Sequence, residues 1–299
     1  MIYKFKQDET ESIINRFGKD FYEKVLSDIE KYANKWKLKS FYLIPSYSAN
    51  LVFTCNSEKY GNAILKIGNS FKEISTEYNA LCEYNSRRFC KVFDADIENG
   101  VMLVERIEPG KPLRDENSLV KRLSVISDLY NELHIAPIKS DIYPTYTQWV
   151  NRITDYMSKR QDCKELYAYM QKAKAIYLSV SERYSKKMLI HGDFHHDNIL
   201  QDNNGKYIII DPKGVIGDPI FDVPRFILNE YEYDKNVQLY NKINHIINNF
   251  EKSLDIPNEI IKKCLYVETA MGECWSVEDG SSPEDYPNQI KTVAFAESL

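Results

Sequence analysis

The chain has 299 residues, of which 43% are apolar and 28% charged, with a formal net charge of −5. That length supports one large domain or two lobes with a sizeable core, and the balance is that of a soluble globular protein. The negative charge excludes an overall basic surface for nucleic acid, and no apolar run approaches the roughly 20 residues of a membrane-spanning helix.

The first residues lack the apolar core of a signal peptide, so a cytoplasmic location is expected. The 6 cysteines show no Cys-x-x-Cys spacing and are expected to be reduced thiols without a zinc site. Along the chain, Phe21, Val25 and Ile29 mark a helical lead-in from about Glu9 to Lys37. Strand signals follow at Phe41–Ile44, Leu51–Cys55, Ala63–Ile67, Val92–Ala95 and Val101–Glu105, interrupted by a helix from about Phe71 to Arg88. The turn-rich Glu108–Pro112 divides the chain into a lobe of residues 1–107 and a lobe of residues 108–299. Beyond it, helical stripes run through Leu119, Leu123, Ile126, Tyr130 and Leu133, then through Leu166, Met170, Ala173, Tyr177, Val180 and Tyr184. A third runs through Val237, Tyr240, Ile243, Ile247 and Phe250. Between the last two lies a short β region, Met188 to Asp211.

That β region carries the chemistry. It reads His191-Gly192-Asp193-Phe194-His195-His196-Asp197-Asn198-Ile199-Leu200 and, after a break at Asn203–Lys206, Tyr207-Ile208-Ile209-Ile210-Asp211-Pro212-Lys213-Gly214. Asn204-Gly205 between apolar runs predicts a two-residue hairpin turn. In that register Asn203 faces Lys206 and Asn198 faces Asp211, with opposed Cβ atoms about 5 Å apart. An amide oxygen and a carboxylate are hard ligands of the kind Mg²⁺ takes, with waters and phosphates completing its shell. Asp193, just upstream, is placed to orient a hydroxyl. Phosphoryl transfer needs this set. The crowding of His191, His195, His196, Asp193 and Asp197 also permits a metallohydrolase reading, but adjacent histidines on an extended loop point apart.

On the nucleotide side, neither a P-loop nor a Gly-x-Gly-x-x-Gly loop is present. Lys66 sits inside an apolar strand. In the following helix Glu77 borders the stripe of Ile74, Tyr78 and Leu81, where a carboxylate needs a partner because burying an unpaired charge is costly. A Lys66–Glu77 ion pair is therefore expected, with Glu73 as the second candidate.

His-Gly-Asp-x-x-x-x-Asn followed by an apolar strand ending in Asp resembles the motif of the aminoglycoside phosphotransferase and protein-kinase-like superfamily. The continuation through Gly217-Asp218-Pro219-Ile220-Phe221-Asp222, with Cys274–Gly280 and Leu103–Gly110, resembles its streptomycin 6-phosphotransferase and hydroxyurea phosphotransferase branch. The resemblance implies an α+β, bilobal protein-kinase-like fold. Its N-lobe is a small antiparallel sheet with one key helix, and its C-lobe is larger and helical. It implies Asp193 as catalytic base or orienting residue, Asn198 and Asp211 as Mg²⁺ ligands, and His191 and Asp222 as supports of the catalytic loop. It places Lys66 and Glu77 at the nucleotide phosphates, Ser48 in a phosphate-covering loop without glycine, and Glu105 and Ile107 at the nucleobase. Lys213 is expected to reach the transferring phosphate, and Trp275, Glu278 and Asp279 to meet the acceptor. The implied activity is transfer of the γ-phosphate of ATP or GTP to a hydroxyl of a small, cationic aminoglycoside, an antibiotic-resistance function. A metabolic kinase acting on another hydroxyl compound and a nucleotide-binding pseudo-kinase are the alternatives.

Overall fold

The computed structural model describes residues 3–45 and 50–299. The chain divides into two compact units, Met1–Lys111 with Leu200–Ile210, and Pro112–Ile199 with Asp211–Leu299. The first therefore also takes in the hairpin that the sequence assigned to the second lobe.

In the first unit the helical lead-in is two helices, α1 (Gln7–Phe17) and α2 (Lys19–Trp36), because Gly18 takes a φ of 89° that ends one and starts the other. The strands β1 (Leu38–Ile44), β2 (Asn50–Ser57), β3 (Gly61–Gly68), β4 (Val92–Asp96) and β5 (Val101–Glu105) form one antiparallel sheet in the order β1-β2-β3-β5-β4. Strand alternation sends Leu51, Phe53 and Cys55 of β2 and Ala63, Leu65 and Ile67 of β3 into one core with Phe21, Val25, Ile29 and Trp36 of α2. Lys66, paired with Val52 and Met102, is out of phase with those residues yet only 4% exposed. The helix α3 (Phe71–Tyr84) buries Ile74, Glu77 and Leu81 and stops short of Arg88, because Asn85 and Ser86 turn to positive φ. A short strand β6 (Pro109–Pro112) follows the fifth.

The second unit begins with α4 (Leu119–Leu133), α5 (Tyr146–Ser158) and α6 (Lys164–Ser181). Strand β7 (Met188–Ile190) pairs with β10 (Val215–Gly217). Between them come β8 (Ile199–Asp202) and β9 (Tyr207–Ile209), which form a sheet in the order β6-β8-β9. Residues 88–90 hold the hairpin in the first unit: Ile209 N–H donates to the Arg88 carbonyl at 2.6 Å, and Cys90 N–H donates to the Ile209 carbonyl at 3.1 Å.

The hairpin turn differs from the expected one. Gly205 N–H donates to the Asp202 carbonyl at 3.0 Å, and Asp202 N–H donates to the Lys206 carbonyl at 2.9 Å, so Asp202 faces Lys206 across a three-residue loop. The Asp202 carboxylate gathers the N–H groups of Asn204 and Lys206 at 2.9 and 2.8 Å, and Gly205 closes the loop at φ 76°. Asn198 lies in a 3₁₀ turn before β8, and Asp211 lies beyond the end of β9, so neither stands in the ladder that was expected to oppose them.

The chain closes with α7 (Val223–Leu228), α8 (Val237–Leu254), α9 (Asn258–Glu278) and α10 (Tyr286–Ser298). Helix α9 packs against α5, α6, α7, α8 and α10, so apolar residues occupy several of its faces and no single stripe announces it. Glu273 and the acceptor-side candidate Glu278 are on this helix. Among the described residues all cysteines are free thiols, and no helix is long and apolar enough to cross a membrane.

Candidate active site

The loop from His191 to Asn198 is built around a buried carboxylate. Asp222 is 1% exposed and lies just before α7. Its Oδ2 accepts the N–H of His191 at 2.8 Å and Nε2–H of His134 at 3.0 Å, while Oδ1 accepts the N–H of Gly192 at 2.7 Å. His191 is fully buried, and its Nδ1 accepts the N–H of Asp193 at 3.1 Å. Gly192 has a φ of 77°, and a Cβ there would stand 2.8 Å from the Trp149 ring and 2.9 Å from Val215, so only glycine fits. Farther along, His196 donates from Nε2 to buried Glu230 at 2.7 Å, and Arg114 holds Asp197 in a two-pronged pair at 2.6 Å. Burial pushes the Glu230 carboxyl up, but His196 and Arg122 outweigh it and hold it at about 2. The loop is thus gripped by side chains from elements far apart in sequence.

Asp193 is the half-buried carboxylate that this frame presents. Its Oδ1 lies 3.5 Å from His195 Nε2 and 3.4 Å from Arg225 Nε. Burial alone would raise its carboxyl, but the hydrogen bond with His195 and the charges of Arg225 and Lys213 keep it well below the usual range. It is therefore an ionised acceptor at neutral pH. Asn198 donates from Nδ2 to the Asp193 carbonyl at 2.9 Å, and its Oδ1 accepts no hydrogen bond among the described residues. Asp211 adopts a φ of 57°, a conformation that costs a non-glycine residue free energy and marks a constrained position. Lys213 is tied by its N–H to the His191 carbonyl at 2.8 Å.

The histidines diverge: His191 faces Asp193 N, His195 the carboxylates of Asp193 and Asp197, and His196 faces Glu230. Among the described residues no group of three or more His, Cys, Asp or Glu side chains is placed to hold a metal ion.

Of the acceptor-side candidates, Trp275 packs edge-on against Trp149 at 5.6 Å, with the Arg225 guanidinium 5.7 Å from its ring centre. Glu278 is committed to Arg152 in a two-pronged ion pair at 2.5 and 2.9 Å. Asp279 is exposed at the C-terminal end of α9. The sequence reading missed Arg225 and Glu268. An arginine inside the apolar run Val223–Leu228, and a glutamate inside the apolar run of α9, were the available signals.

In the first unit, Lys66 Nζ lies 2.6 Å from Glu77 Oε1 with both side chains buried, while Glu73 is exposed. Glu105 is held within the sheet: its N–H donates to the Lys91 carbonyl at 2.8 Å, and its Oε2 accepts the Lys91 N–H at 3.0 Å. A cavity of about 380 Å³ is lined by Glu105 and Ile107 together with Phe89, Lys91, Lys206 and Ile208. Ser48 lies outside the described residues.

Residues 35–280 match the family described as aminoglycoside/hydroxyurea antibiotic resistance kinase. Streptomycin 6-kinase of Streptomyces griseus is 24% identical over 201 residues, which is 65% of this chain and 64% of that protein, so the chain spans less than two thirds of that relative. Hydroxyurea phosphotransferase of Kitasatospora aureofaciens is 22% identical over 305 residues, covering 94% of this chain and 81% of that one. Among solved structures, choline kinase LicA of Streptococcus pneumoniae superposes with a TM-score of 0.67 at 19% identity over 93% of this chain and 99% of that one. A thermostable mutant of aminoglycoside phosphotransferase APH(4)-Ia, solved with ADP and hygromycin B, gives 0.65 at 14% identity over 91% of this chain and 97% of that one. These likenesses show the fold to be α+β and protein-kinase-like.

Proposed function

We propose that this chain, which belongs to the aminoglycoside/hydroxyurea antibiotic resistance kinase family, transfers the γ-phosphate of a nucleotide to a hydroxyl of a small molecule. The observation that carries the reading is Asp193, an ionised carboxylate on a loop pinned by Asp222, next to an asparagine whose amide oxygen is unspent. Asp193 accepts a hydrogen bond from the attacking hydroxyl, aligns its oxygen and takes its proton as the new P–O bond forms.

The donor set fits Mg²⁺, because the Asn198 amide oxygen and the Asp211 carboxylate are hard ligands that leave room for phosphates and water. The bound ion and nucleotide supply charge neutralisation and the phosphoryl group. Lys66, oriented by Glu77, serves the α- and β-phosphates, and Lys213 serves the transferring one. The backbone at Glu105 and Ile107 recognises the nucleobase, and Ser48 belongs to the loop over the phosphates. Trp275, Glu278 and Asp279 make up the acceptor side.

A streptomycin-like aminoglycoside is the acceptor that the names of the relatives favour. A less cationic hydroxyl compound is the second reading, favoured by the pairing of Glu278 with Arg152, which spends the negative charge a polycation would use. Turnover of MgATP and MgGTP over a panel of streptomycin, hydroxyurea and neutral polyols tests both. Asp193→Asn should cut turnover by about 10²- to 10⁴-fold with nucleotide affinity retained. Nucleotide binding without transfer to any acceptor or to water would instead make the protein a pseudo-kinase.

A further inference from the structure

Arg225 is a charged residue in an apolar setting. It sits three residues after the brace Asp222, in a short helix whose Val223, Pro224, Phe226 and Ile227 are all buried. Its Nε lies between two carboxylates, 2.9 Å from Glu268 Oε1 and 3.4 Å from Asp193 Oδ1, and its guanidinium plane lies by the ring of Trp275. Glu268 is 3% exposed within α9, and its Oε2 accepts the hydroxyl of Tyr146, itself fully packed at the start of α5. Tyr146 is stacked on Phe221, the residue before Asp222. A closed circuit of contacts thus runs from the brace, through Tyr146, Glu268 and Arg225, to the carboxylate of Asp193.

A buried ion pair of this kind is weak support for stability, since apolar residues of the same volume often do as well. What the pair does geometrically is clearer. Without a cation between them, Asp193 and Glu268 would repel one another, and the Asp193 side chain would be free to rotate away. With Arg225 paired to Glu268, a fixed cation stands 3.4 Å from the Asp193 carboxylate and opposes that rotation.

We propose that Arg225 is the positioning residue for Asp193, and that Glu268 and Tyr146 hold Arg225 for that task. This rests on the phosphotransfer reading given above. Misplacement of a catalytic group by about 1 Å costs on the order of 10²-fold in rate. Because Glu268 acts only through Arg225, removing both should cost no more than removing Arg225 alone.

The test uses the full chain with MgATP and water as acceptor, reading phosphate release, so no acceptor need be known. Arg225→Gln and Glu268→Gln should each slow turnover by about 10- to 100-fold with the KM for ATP within about twofold of wild type. Arg225→Lys should recover part of the loss. The double variant Arg225→Gln/Glu268→Gln, which leaves no unpaired buried charge and so keeps the fold, should be no slower than the slower single variant. Turnover in Arg225→Gln within about twofold of wild type, or single effects that multiply in the double variant, overturns the proposal. A wild-type chain that binds MgATP yet transfers phosphate neither to water nor to streptomycin, hydroxyurea or the neutral polyols sinks the phosphotransfer reading itself, and this inference with it.

Discussion

Asp222→Asn isolates the brace of the loop from His191 to Asn198. The substitution keeps volume and polarity but replaces one carboxylate oxygen with an NH₂ group, in a pocket where the N–H groups of His191 and Gly192 and the imidazole N–H of His134 all donate inward. At least one donor then faces another donor. A hydrogen bond to a charged acceptor is worth about 1.5–3 kcal/mol, and a buried N–H left unsatisfied costs about 1–3 kcal/mol. The site is 1% exposed, so water cannot take over as partner. The expected destabilisation is about 3 kcal/mol, a large share of the stability of a typical domain. Urea unfolding should show a lower midpoint with an unchanged slope. Amide exchange at Gly192 or His191 should accelerate beyond what the global loss explains, because the amide left facing the NH₂ group loses its fixed partner. Turnover should fall with them. A variant with wild-type midpoint, wild-type exchange at His191 and Gly192 and wild-type turnover would refute the reasoning that this carboxylate fixes the loop.

Gly192→Ala should destabilise by about 2 kcal/mol and depress turnover, since its Cβ would meet Trp149 and Val215 at under 3 Å in a backbone conformation that alanine resists; thermal unfolding and steady-state rates check this together. Lys66→Met should lower stability by about 3 kcal/mol and weaken nucleotide binding by breaking the buried pair with Glu77, both read from thermal unfolding with and without MgATP. Burial raises the Glu273 carboxyl from 4.5 to about 7, with Lys235 opposing the shift. The folded state therefore holds this proton more tightly than the unfolded chain, and stability falls as pH rises from about 4.5 through 7, by on the order of 2 kcal/mol after solvent screening. In Glu273→Gln that slope should flatten, and urea midpoints at pH 5 and pH 8 will show whether it does. Asp211→Ala should abolish the Mg²⁺ dependence of nucleotide binding, which a titration with and without metal measures.

Local patterning in the sequence determined a good deal. Alternating apolar residues placed the five strands of the first sheet to within a few residues, because one face of each strand must be buried. The stripes of α4, α6 and α8 were legible because each buries one face. Lys66 and Glu77 could be paired in advance because a carboxylate at the edge of a buried stripe requires a cation. The motif from His191 to Asp211 carried, in its residue types and spacing, the resemblance to the family that residues 35–280 match.

Other features were decided by tertiary structure. Helix α9 escaped because packing on several sides erases a one-face period, and the lead-in broke at Gly18 because a single residue can leave the helix at little cost. The hairpin turn shifted because the side chain of Asp202, and not the Asn-Gly pair alone, organised the loop. Arg225 and Glu268 lie 43 positions apart in numbering, and only folding makes them neighbours of Asp193. A sequence specifies which groups want burial or charge at short range, where geometry repeats with the period of the backbone. Which distant charges then meet depends on how α7 and α9 pack, and that is set by the summed shape of many apolar side chains, none of which carries a readable signal alone.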